Sequence, residues 1–91
     1  MILGLTDIGL LVDESHGSAL DLDCRIIQYA EMIAGYRPSI AVEAMRSAGQ
    51  WESIHWEADA AVDYMNDHAT DGNVVFVVED NSLYLWSVDD D

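Results

Sequence analysis

The stretch VVFVVEDNSLYLWSV, Val74 to Val88, decides the fold class. Val74 to Glu79 and Ser82 to Val88 are rich in β-branched and aromatic residues, and only Asp80 and Asn81 stand between them. Two such runs joined by a two-residue polar turn predict an antiparallel hairpin. Val75 and Val77 alternate with Val74, Phe76 and Val78, so both faces of the first strand are apolar. Leu83 and Leu85 alternate with Tyr84 and Trp86, which sets the aromatics opposite the leucines. A bare hairpin is marginal in water, so this one must pack on helices or gain a third strand.

Immediately upstream, residues 51–69 carry the clearest helical pattern. Trp51, Ile54, Ala58, Ala61, Val62, Met65 and Ala69 follow the 3.6-residue period and predict a core-facing stripe that includes Trp51. The opposite side carries Glu52, Asp59, Asp63 and Asp67, with Glu57 near its edge. Asp59, Asp63 and Asp67 form two like-charge pairs at i,i+4, each unfavourable by a few tenths of a kcal/mol, with no base to relieve them. Selection for helix stability alone would not write this face. Thr70 to Asn73 reads as a turn.

Residues 19–34 predict another helix. Ser18 and Asp21 have capping-box spacing, Leu22, Ile26, Tyr29 and Ile33 form the apolar stripe, and Gly35 suits a left-handed C-terminal cap. A shorter helix is expected over 39–48, between Pro38 and Gly49, with Ile40, Ala41, Ala44, Met45 and Ala48 on its apolar face. Residues 1–17 stay open between a strand and a short helix capped by Thr6. The reading is one α+β domain over residues 1–91, with three helices packed on a small antiparallel sheet that includes the C-terminal hairpin.

The charge balance narrows function further. The 91 residues hold 18 acids, three arginines and no lysine, for a net charge of −15. Seven acids and all three arginines fall in residues 1–50, and eleven acids with no base in residues 51–91. A sphere with the ~12 Å radius of gyration expected of such a chain carries charge per length close to that of duplex DNA, one per ~1.7 Å. This charge opposes direct binding of nucleic acid or anionic membranes and favours a basic protein partner. The single Cys24 fits a reducing cytosol, no signal-peptide n-region is present, and no apolar run approaches the ~20 residues of a membrane span. Cytoplasmic action is therefore expected.

Chemistry-bearing motifs are sparse. Asp67, Asp71 and Gly72 match part of a calcium loop, but Ala69 and Val78 stand where two oxygen ligands belong. His16, His55, His68 and Cys24 lack zinc spacing, and Cys24 lies among the stripe residues of its helix. No phosphate loop or nucleophile motif is present, so no catalytic residue, metal or cofactor is expected.

In size and charge the chain resembles phage-encoded DNA mimics, anti-restriction proteins and acidic anti-CRISPR proteins. That resemblance implies a non-enzymatic inhibitor occupying the basic groove of a nucleic-acid-binding protein in the host cytoplasm. The residues expected at the contact are Glu52, Trp56, Asp59, Asp63, Asp67, Asp71, Glu79 and Asp80. Trp56 belongs with them because an aromatic inside a charged rim has the make-up of an interface hot spot. One alternative is an antitoxin or immunity-type protein that neutralises a basic toxin. Another is a halophilic domain of unrelated function, whose acidic coat would be spread evenly.

Overall fold

A computed structural model of the chain describes residues 2–14, 17–38, 44 and 47–88. Residues Leu5–Asp7 form a 3-10 turn, followed by β1 (Gly9–Asp13), α1 (Ala19–Ala34), α2 (Trp51–His68), β2 (Val74–Glu79) and β3 (Ser82–Ser87). The strands form one antiparallel sheet in the order β1-β3-β2. The architecture is α+β, but among the described residues two helices, not three, pack on it. Most of the helix expected over 39–48 lies outside the described residues. Its described positions Ala44, Ser47 and Ala48 are exposed and contribute nothing to the described core.

The ends of α1 are fixed locally. The Ser18 hydroxyl accepts from the Asp21 N–H at 3.1 Å, and the Ser18 N–H donates to the Asp21 carboxylate at 3.3 Å. Gly35 closes the helix at φ 69°, a left-handed conformation that a β-carbon would strain. The hairpin pairs Glu79 with Ser82 and continues to Val74 opposite Ser87. Asp80 (φ 52°) and Asn81 (φ 55°) are both left-handed, as a two-residue turn with the twist of its strands demands.

Over residues 2–14 the open question between strand and short helix resolves into the 3-10 turn and a third strand. The turn begins after Gly4, whose N–H donates to the Asp7 carboxylate at 3.0 Å, so Thr6 is not its cap. Strand β1 pairs with β3, with an irregularity between Leu10 and Val12. Leu3 pairs alongside Thr70, its N–H donating to the Ala69 carbonyl at 2.7 Å and its carbonyl accepting from Asp71 at 3.1 Å.

One face of the sheet meets the helices. Val12, Val74, Phe76, Leu83 and Leu85 join Leu22, Ile26, Ile27, Ala30 and Ile33 of α1 and Ile54, Ala58, Ala61 and Met65 of α2 in one buried cluster. The helices cross obliquely. Asp23 of α1 meets one flank of α2 at His55 and Asp59, while Tyr36, just beyond α1, reaches Glu57. His55 and Glu57 lie about 200° apart around the helix axis. Asn66 of α2 accepts the Phe76 N–H at 2.8 Å and so ties the helix to the outer edge of β2.

Candidate functional site

The helical period that buries Ile54, Ala58, Ala61 and Met65 turns Glu52, Trp56, Asp59, Asp63 and Asp67 outward, and all five are exposed. They form one stripe along α2, opposite the core. From residue 52 to 67 at about 1.5 Å per residue, it runs roughly 22 Å. Its carboxylates recur about every 6 Å over the last three members. No lysine or arginine lies in it, and His55 flanks it at Asp59. By contrast, exposed Arg25 and Gln28 stand between Asp21 and Glu31 on α1.

Trp56 is 63% exposed in the middle of this stripe. Trp51 was expected in the core and is 51% exposed. Its angular position matches the apolar stripe, but it is the first residue of α2, and burial on that helix begins only at Ile54. Tyr64 lies on the opposite flank, its ring 5.2 Å from Tyr36 and 4.2 Å from His68.

The other expected contact residues separate. Asp71 is exposed just beyond the end of α2, and its carboxylate accepts the Asn73 N–H at 2.8 Å. A β-carbon at Gly4 would come within 2.6 Å of Asp71, so this acid also packs on the N-terminal segment. Glu79 and Asp80 lie at the far end of β2, which at about 3.3 Å per residue is roughly 20 Å long. There Asn81 donates to the carbonyls of Glu14 (2.6 Å), Gly17 (3.3 Å) and Ser18 (3.2 Å), seating the turn at the start of α1. Asp71 therefore continues the stripe past the end of α2, and the hairpin turn stands at the other end of β2 from it.

Sequence reading missed the charge at the helix crossing. Asp23 is buried on α1, with both carboxylate oxygens 3.2–3.4 Å from Nδ1 of His55. Burial raises its carboxyl above the ordinary value of 3.8, the His55 hydrogen bond and charge lower it, and Asp59 adds a smaller rise. Nε2 of His55 faces Asp59 at 3.8 Å, an acid and not a hydroxyl or thiol that it could activate. Cys24 is buried, as its apolar stripe neighbours in α1 suggested. Among the described residues no group of three or more His, Cys, Asp or Glu is arranged to hold a metal. An open cleft of about 350 Å³ between β1 and α1 is lined by Leu11, Val12, Arg25, Gln28, Tyr29 and Met32, which include no nucleophile–base pair.

The shape changes the charge comparison. The radius of gyration is 13.1 Å, and the body measures 44 × 27 × 20 Å. Fifteen net charges over 44 Å give about one per 3 Å. This is close to one strand of nucleic acid, with one charge per ~3.4 Å, and about half the density of a duplex. No described helix is long and apolar enough to cross a membrane. Comparisons with protein families, curated proteins and solved structures find no match for this chain.

Proposed function

We propose that this chain is a non-enzymatic acidic binding protein of the DNA-mimic type, acting in the cytoplasm. Its α2 stripe would occupy a basic groove of a nucleic-acid-binding protein. The observation that carries the reading is the exposed row Glu52, Asp59, Asp63 and Asp67, opposite the core and without lysine or arginine. A lysine- and arginine-lined groove attracts such a row as it attracts phosphate, and the shared field speeds encounter. The mixed surface of α1 speaks against an even halophilic coat.

Trp56 favours a second reading. Phosphate mimicry needs no indole, whereas an inhibitor fitted to one protein, such as an antitoxin, gains affinity by seating an aromatic in a pocket.

The test is recovery of the partner from host lysate at low salt, then a gel shift with labelled nucleic acid. Groove occupancy predicts competitive displacement that weakens as salt rises. A stable ternary complex would reject it and leave the antitoxin reading.

A further inference from the structure

We infer that the outer face of the sheet is a second docking surface, fitted to a cationic amphipathic helix of a partner protein. Register places Leu10, Val75, Val77, Tyr84 and Trp86 on the face opposite the helices, because each pairs with another member of the set or alternates with a buried residue. Leu10 is 50% and Trp86 42% exposed. The rings of Tyr84 and Trp86 lie 6.2 Å apart and form one aromatic ridge. An antiparallel sheet with one solvated face ordinarily carries polar residues there. Here polar residues fill only the hairpin end, where Glu79, Ser82 and Asp13 share the next cross-strand row.

Charge and area select the occupant. Three strands about 4.8 Å apart and some five residues long give a patch of a few hundred Å². A stable homodimer needs about 800 Å² from each copy, and a second copy would bring a further −15 against the same acidic rim. The edge of β2 is a poor site for an added strand, because Asn66 already holds the outward Phe76 N–H. A helix with an apolar face laid across the ridge, and lysine or arginine reaching Glu79, satisfies both parts of the surface. This face points away from α2, so it stands or falls independently of the stripe.

The probe is a leucine/lysine peptide of about 18 residues, five turns, patterned as an amphipathic helix. Its controls are the same composition scrambled and a leucine/glutamate version of the same pattern. Trp86 reports in a Trp51→Phe, Trp56→Phe background, at about 0.1 M salt, where the Debye length of ~10 Å still lets lysine sense Glu79 and the scrambled peptide controls for charge alone. The patterned cationic peptide should shift Trp86 emission to the blue and bind at least about tenfold more tightly than either control. Amide-resonance mapping on the wild-type chain should place it on β2 and β3, and Tyr84→Thr should weaken it while leaving the circular dichroism unchanged. Equal binding by the scrambled peptide, resonance shifts confined to α2, or sedimentation showing a dimer that buries Trp86 would each overturn the inference.

Discussion

Nδ1 of His55 on α2 lies 3.2 Å from a carboxylate oxygen of Asp23 on α1, joining two helices across 32 residues of sequence. An ionised carboxylate can only accept, so Nδ1 carries the proton of this bond. His55→Ala leaves a buried acceptor without that donor and should lower stability by about 1–3 kcal/mol. In a domain of this size that is a fall of several degrees or more in Tm, read by thermal denaturation.

The same pair predicts a pH dependence. Because Asp23 is raised in the fold, the unfolded chain gives up this proton first as pH rises. Between the ordinary value of 3.8 and the raised one, the folded state holds more protons, so this group's contribution to stability declines with pH. Asp23→Asn removes the charge and keeps an acceptor. Its stability relative to wild type should therefore rise from pH 3 to pH 7, measured by urea unfolding at each pH.

On the outer face of α2, Asp63→Asn and Asp67→Asn should each raise stability by a few tenths of a kcal/mol through relief of i,i+4 repulsion. Asp59→Asn should gain less, since Asp59 also faces His55 at 3.8 Å. The triple variant should keep or raise Tm and lose affinity for a basic partner. A triple variant that melts early yet binds normally would assign these acids to structure.

What the sequence disclosed follows from range. The caps of α1 are legible because Ser18, Asp21 and Gly35 act within one turn. The hairpin is legible because Asp80 and Asn81 tolerate left-handed backbone. The α2 stripe is legible because helical period separates Glu52, Asp59, Asp63 and Asp67 from the buried residues. The β1 strand was obscure, since Gly4 and Gly9 break its short apolar run and its partner, β3, lies some 70 residues on. Asp23 reads as a solvent residue until His55 is known to face it. The seating of the hairpin turn at the start of α1 depends on where Asn81 docks, a contact spanning 63 to 67 residues.

Asn81 does two jobs. It holds φ at 55°, and its amide reaches three carbonyls before α1. Asn81→Gly keeps the turn and loses the docking. Asn81→Ala loses both, so it should be the more damaging, by roughly 1 kcal/mol, because a β-carbon disfavours left-handed backbone. Urea unfolding of the two variants separates the terms.

Tyr36 donates to Glu57 at 2.6 Å. Burial first, and then the hydrogen bond and the charge of Glu57, hold its phenol well above the ordinary value of 10. The stabilisation is present below pH 10, where the phenol is protonated in both states, and is lost as pH climbs through the folded value. Titration by phenolate absorbance should show a late step that Tyr36→Phe removes.

Asn66 guards the edge of β2. Its side-chain oxygen accepts the Phe76 N–H at 2.8 Å, and its backbone carbonyl accepts the Thr70 hydroxyl at 3.0 Å. In the hairpin register Val74, Phe76 and Val78 turn their N–H groups away from β3, toward the open side. Asn66→Ala strips the acceptor from Phe76 and leaves a valine-rich edge available for pairing with another chain. The net charge of −15 should mask this at low ionic strength, where copies repel over a Debye length of about 30 Å at 0.01 M. At about 1 M salt that length falls to ~3 Å and the edge becomes reachable. The variant should therefore stay monomeric at low salt and aggregate at high salt, while wild type stays clear in both. Light scattering against salt reads this directly, and equal behaviour of the two proteins would show that Asn66 does not protect the edge.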